Sequence, residues 1–369
     1  MSTTSTTSSV FSDFTFNNGV HIANRLAVAP MTHWASNPDG SLSAAERTFI
    51  DGRGTGFALF ISAATLVTAH GKAFNGEPHA LSEADLPALR ERAEIAHAGG
   101  NLAILQLHHG GRLALPHLVP DGRIFAPSAD AETGAQELTL SQITAIIEGF
   151  GRATELALAA GYDGVEIHGA NNYLLQQFIS GATNHRNDAY GQDRLLLTKE
   201  VLAKVLAVRT AANRGDFIVG YRLSPEEPFE RGITMNDTRT LIETLNDFDL
   251  QYVHISLGDF FAKSHRGADT GRPRLETIRK ILRPDIALVG VGNLLNADDI
   301  ARAFATDWVD IIALGKAVML NPNLYDLLQN DPDAIVTAAD PANVDHYGIP
   351  PRLWQMVLLD QPWLPSLQR

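Results

Sequence analysis

The sequence predicts an α/β protein, a (β/α)8 barrel, and three features of its 369 residues carry that expectation. Eight short apolar runs recur along the chain, segments of helical period separate them, and polar or glycine-containing sequence follows each run. Repeated βα units around a parallel sheet produce this pattern, and a closed barrel gathers its chemistry at the C-terminal ends of its strands. The length would fit two average domains, but a barrel with insertions reaches it as one.

In chain order, Met1–Val10 is almost entirely Ser and Thr, which predicts a frayed tail ahead of one domain over residues 11–369. It has neither the basic nor the apolar region of a signal peptide. Phe14-Thr15-Phe16 and Val20-His21-Ile22 alternate around Asn17-Asn18-Gly19, a turn sequence that tolerates positive φ, so a hairpin is expected to close the barrel floor. The eight runs are Arg25–Pro30, Gly56–Leu66, Leu102–Leu107, Gly164–His168, Phe217–Arg222, Tyr252–Ser256, Ala287–Val291 and Trp308–Leu314. Between the third and fourth, Ile143, Ile146, Ile147, Phe150, Ala153 and Ala157 recur at helical spacing and Gly161 supplies a stop. Asn296 reads as the N-cap of a helix with Ile300 and Phe304 as an i, i+4 apolar pair. Leu113–Gly134 and Gly258–Pro273 look like long excursions between strand and helix. Beyond Asn330 comes a stretch without clear period and then a short apolar segment, Leu353–Leu359, forming a C-terminal extension.

Composition narrows the function classes. With 45% hydrophobic and 19% charged residues the chain has material for a large core, and no apolar run is long enough to span a bilayer. A formal net charge of −13 repels phosphodiester backbones, so nucleic acid is a poor partner. The absence of cysteine removes disulfides, thiolate metal sites and iron–sulfur clusters, and is compatible with a cytoplasmic location. Neither a GxGxxG after a strand nor a P-loop is present, so a nicotinamide would be a transient visitor.

The fourth run ends in Glu166-Ile167-His168-Gly169-Ala170-Asn171-Asn172-Tyr173. At a strand-to-helix turn, His168 and Asn171 can aim two donors at one point, as an oxyanion developing on a substrate carbonyl requires, and Tyr173 adds a phenol. His108 and His109 are adjacent on a strand, point in opposite directions and make a poor metal site. Trp354 and Trp363 read as packing residues, with Arg352 beside Trp354 able to reach a neighbouring subunit in a homo-oligomer.

Here the sequence resembles the Old Yellow Enzyme family. The segment from Gly161 through His168–Leu174 to Gln176-Gln177-Phe178-Ile179-Ser180, with Asn184, Arg186, Asp188 and Tyr190-Gly191, is similar to its signature. Ala29-Pro30-Met31-Thr32, Gln106–Arg112, Arg222-Leu223-Ser224-Pro225 and Gly315-Lys316 resemble the ends of its first, third, fifth and eighth strands, in the family's order over Asn24–Asn323. The resemblance implies bound, non-covalent FMN, NADH or NADPH as hydride donor, and reduction of the C=C bond of enones. It implies that His168 and Asn171 bind the carbonyl oxygen and that Tyr173 gives a proton to Cα. Thr32 would bond flavin O4, Gln106 would read the pyrimidine edge and Arg222 would stand beside N1 and O2, with Ala29, Pro30, Met31, Ala63 and His168 against the cofactor. Gly292, Asn293, Gly315 and Lys316 would cradle the phosphate together with a helix N-terminus. Trp34 would wall the substrate pocket. Three departures stand out: Lys316 replaces the family's usual Arg and loses its planar fork, Thr32 stands where one branch has cysteine, and the loop after Gly191 is short. The rival readings are another FMN barrel acting on quinones, nitro compounds or hydroxy acids, or a flavin-binding barrel without catalysis. A substrate dehydrogenase needs a base, whereas this set suits donation.

Overall fold

The computed structural model describes residues 10–267 and 269–367. Eight parallel strands close into a barrel: β1 (Leu26–Val28), β2 (Leu59–Ile61), β3 (Leu102–His108), β4 (Gly164–Gly169), β5 (Ile218–Leu223), β6 (Tyr252–Ile255), β7 (Ala287–Gly290) and β8 (Ile311–Leu314). Each coincides with one of the eight apolar runs, with β3, β4 and β5 extending one residue beyond theirs, to His108, Gly169 and Leu223. Pairing of β8 with β1 and of β1 with β2 completes the ring.

Alternation along these strands sorts side chains into two cores. Facing inward, Ala27, Ile61, Ile104, Ile218, Tyr252, Val289 and Ile311 fill the barrel, and Phe16 and Ile22 of the hairpin pack beneath them. The hairpin pairs Phe14 with Ile22, and Gly19 takes the positive φ of 85° its turn requires. Tyr252 fits because the neighbouring strand has Gly220: a Cβ there would lie 2.2 Å from the Tyr252 ring. Facing outward, Leu105, Val165, Val219, Val253 and Leu288 meet the helices.

The helix over Leu140–Ala160 shows how sequence sets these elements. Thr139 caps it in a reciprocal arrangement with Gln142, Gly161 ends it at φ 89°, and Ile143, Phe150, Ala153 and Ala157 are fully buried along one face. Burial of Ile143 and Phe150 contributes on the order of 1.5–3 kcal/mol each, so Ile143→Ala would loosen the helix from the barrel. Asn296 likewise caps Ala297–Phe304, accepting from the Asp299 amide at 2.8 Å.

Residues 1–9 of the expected tail lie outside the described residues, but its last member, Val10, is buried at 1% exposure and accepts a hydrogen bond from the Arg25 amide at 2.8 Å. The tail reading therefore extends one residue too far. At the other end, Arg53 clamps the extension to the barrel, donating to Val318 O at 2.7 Å and to Tyr347 O at 2.6 Å. The period-free stretch folds into two 3-10 turns, and the apolar segment becomes a short helix, Pro351–Gln355, running into a wider turn. No helix among the described residues is long and apolar enough to cross a membrane.

Candidate active site

The C-terminal ends of the strands open on a cavity of about 400 Å³, a size suited to a cofactor or small ligand. Ala29, Pro30, Met31, Thr32 and Trp34 line it after β1, and Arg222 at the end of β5. Gly292 and Asn293 line it after β7, and Gly315 and Lys316 after β8. Ala63 does not. Its carbonyl accepts from the Ser62 and Thr65 hydroxyls, and the residue borders a separate small void with His33 and Glu46. Past Ile61 the chain runs on in the same direction, and Thr65–Leu66 pairs parallel with Leu107–His108 of β3 after a one-residue slip in register.

Backbone geometry shapes the far wall. Gly292 has φ 149°, and a Cβ there would lie 2.3 Å from Phe260 N, so only glycine permits this approach; Asn293 follows at φ 52°. The helix opening at Lys316 has five residues, too few for a strong dipole. Positive charge at this end comes from Lys316 itself, whose ammonium bonds Asn293 Oδ1 at 2.9 Å and whose pKa burial pulls down. Trp363 corrects the sequence reading. It lines the cavity, 41% exposed, with Lys316 Nζ 5.7 Å from its ring centroid. Trp354 does pack, stacked on Tyr347 at 5.7 Å, and Arg352 pairs with Asp360 of its own chain at 3.3 Å.

Trp34 has φ 51°, costly for a bulky residue, and the structure around it fixes the loop. Gly76 packs against the Trp34 backbone and Phe74 against its ring. Behind it, buried Glu46 binds Arg92 at 2.7 Å, Ser36 at 2.7 Å and His33 at 3.3 Å. Burial alone would raise the Glu46 carboxyl, yet these partners hold it down at about 2.

Beside Arg222, in register on the adjacent strand, stands His168. Its Nδ1 accepts the Ala170 amide at 3.3 Å, so in the neutral ring Nε2 carries the proton. Burial, with His108 and Arg222 nearby, keeps its pKa well below 6.5, so the ring is neutral. Asn171, at φ 57°, accepts the Ser256 hydroxyl at Oδ1 (2.9 Å), which leaves its Nδ2 to donate. Ser256 in turn accepts from Arg222 Nη2 at 3.2 Å, linking the cation to the amide. Tyr173 precedes the helix Leu174–Ile179, its ring 5.2 Å from His168. Burial first and Glu77 second push its phenol up to about 12.

Besides Glu46 with His33, two further buried carboxylate–histidine pairs escaped sequence reasoning. Glu77 Oε1 holds His108 Nδ1 at 2.6 Å, and the His108 ring meets Tyr173 edge to face at 4.3 Å. Glu166 Oε2 holds His254 Nδ1 at 2.8 Å and its Oε1 accepts Gln106 Nε2 at 2.6 Å. The signal for the second was in plain sight, since Glu166 and His254 occupy inward positions of β4 and β6. Glu77 lies in a loop, where periodicity gives no direction. His109 takes the opposite side from His108, accepting the Gly111 amide at 3.0 Å, and burial depresses it to about 3.

A parallel barrel with a deep cavity at its C-terminal mouth, bordered by Arg222 and Lys316, is the architecture of a flavin-binding oxidoreductase. The family model for NADH:flavin oxidoreductase / NADH oxidase matches residues 9–332, and the chain belongs to this family. It is 39% identical over 363 residues to Probable NADH-dependent flavin oxidoreductase YqiG of Bacillus subtilis (strain 168), covering 96% of this chain and 97% of that protein. It is 33% identical to NADH:acrylate oxidoreductase of Vibrio harveyi, matching 94% of this chain but 35% of that longer one. Among solved structures, the Old Yellow Enzyme homologue of Zymomonas mobilis is similar at a TM-score of 0.74 and 26% identity, over 88% of this chain and 93% of that one. The protein is an FMN-dependent oxidoreductase of the Old Yellow Enzyme family that draws on NADH or NADPH.

Proposed function

We propose that the protein reduces the C=C bond of α,β-unsaturated carbonyl compounds, and the carrying observation is the paired orientation of His168 and Asn171. The Ala170 amide and the Ser256 hydroxyl occupy the acceptor of each side chain, so both are left as donors. Two such donors bind a carbonyl oxygen and stabilise it more strongly as it gains enolate charge. FMN held between Arg222 and Lys316 would supply the redox chemistry, relaying hydride from the nicotinamide to the alkene. Tyr173, protonated throughout the neutral range, supplies the proton to the adjacent carbon.

The cavity fits FMN on features of this chain. Arg222 lines it with a buried Nε that has no partner, a donor suited to the electron-rich N1 and O2 edge. Lys316, Asn293 and Gly292 suit a phosphate, Thr32 suits O4, and Ala29, Pro30, Met31 and Gly315 supply close walls. Trp34 would bound the substrate side.

A second reading has support in the family description, NADH:flavin oxidoreductase / NADH oxidase: the barrel would chiefly oxidise NADH and hand electrons to another acceptor. Steady-state assays of the purified yellow protein with NADH and NADPH against cyclic enones separate the two. Turnover with enones supports alkene reduction, while reduction of dyes and quinones alone favours the second reading.

A further inference from the structure

Glu166 is a fully buried carboxylate within the barrel interior, two residues before His168 on the same face of β4. It stands above the apolar floor of Ile104, Ile218 and Tyr252 and below the cavity's cation. A buried ion pair is weak grounds for stability, since desolvation offsets most of its attraction, so the charge calls for a different explanation. Glu166 accepts from Gln106 Nε2 on one oxygen and His254 Nδ1 on the other. Burial would raise its pKa, but His254, Arg222 and Gln106 hold it below the usual carboxylate value. The Arg222 guanidinium is drawn down by burial and lifted again by the Glu166 charge.

We propose that Glu166 is a positioning residue for the cofactor, fixing the orientation of the Gln106 carboxamide and offsetting the field of Arg222. Resting on the placement of Gln106 and Arg222 at the pyrimidine edge, this has two consequences. A carboxamide with one Nε2 hydrogen bound to a carboxylate has its oxygen turned away from that carboxylate as an acceptor, with the second Nε2 hydrogen still free to donate. That oxygen matches the N3–H of an isoalloxazine, a donor between two carbonyls. Glu166 can serve both neighbours because an ionised carboxylate only accepts. An amide at this position would present NH2 to one of them; presented to Gln106, it forces that carboxamide to reverse, setting donor against donor at N3. The negative charge also counteracts part of the stabilisation that Arg222 gives to an anionic reduced ring.

The test is Glu166→Gln in the full-length holoprotein. FMN should dissociate about 10-fold or more readily, the cost of a mispaired buried hydrogen bond. The midpoint potential should move to more positive values, opposite in sign to Arg222→Met. Introduced into Gln106→Ala, Glu166→Gln should cost little further affinity while still raising the potential. Should Glu166→Gln fail to fold, the parental protein still decides: it should hold N3-methyl FMN at least 10-fold more weakly than FMN. Parental affinity and potential in the variant, an undiminished affinity loss in the Gln106→Ala background, or equal binding of the N3-methylated cofactor would each overturn the proposal. If Arg222→Met leaves the potential unmoved, the placement of Arg222 fails and the proposal fails with it, a result distinguishable from failure of Glu166 alone.

Discussion

Replacing Lys316 by Met isolates the phosphate end of the cavity. The ammonium bonds a neutral acceptor, Asn293 Oδ1 at 2.9 Å, and stands over the Trp363 ring, and no carboxylate among the described residues pairs with it. Its charge is therefore open to an anion. A charge-assisted hydrogen bond is worth about 1.5–3 kcal/mol, so Lys316→Met should weaken FMN binding roughly 10- to 150-fold. Riboflavin, which has the same ring and ribityl chain without phosphate, serves as the control. Titration of the apoprotein with both flavins gives the ratio of their dissociation constants, which the substitution should compress by that same factor. Rising salt should weaken FMN more in the parental protein than in the variant. Equal losses for the two flavins would refute the reasoning and place Lys316 in packing with Trp363.

Three further outcomes are expected. His168→Ala with Asn171→Ala should cost on the order of 10²-fold or more in enone reduction and abolish the long-wavelength band that phenols give with oxidised flavin; titration with a phenol checks it. Arg222→Met should lower the midpoint potential or release FMN, because the cation beside the reduced ring is gone; spectroelectrochemistry reads the shift. Glu46 has a folded pKa of about 2 against 4.5, so its contribution is present above the unfolded value and lost as pH falls through 4.5 toward 2. At neutral pH that contribution is about 3 kcal/mol, and thermal melts of Glu46→Gln should show a loss of that order together with a shallower acid limb.

The barrel was legible because each strand is a compact apolar run and the hairpin and capped helices carry local signals such as Asn17-Asn18-Gly19, Gly161 and Asn296. The chemistry of His168, Asn171 and Tyr173 was visible as one segment, but its protonation and orientation were not. Those depend on Ser256, Arg222 and His108, which arrive from other strands. Trp363 was misread because an aromatic in an irregular tail has the same sequence signature whether it packs or lines a cavity. Its backbone is held by the wider turn before it, the Trp363 amide donating to Val357 O at 3.1 Å. Ala63 lies in the irregular link between Ile61 and Thr65–Leu66, where periodicity gives no direction to a side chain.

The central claim is that a neutral His168 and Asn171 hold the carbonyl while Tyr173 delivers the proton, and rapid mixing of Tyr173→Phe tests it most directly. Flavin reduction by the nicotinamide needs no proton at an alkene carbon, so that half-reaction should proceed at nearly the parental rate. Reoxidation by an enone should slow by about 10²- to 10⁴-fold, the contribution of a general acid, while reoxidation by a quinone stays fast. Equal slowing with enone and quinone, or a collapse of flavin reduction itself, would contradict the account and make Tyr173 a residue that shapes the site without supplying its proton.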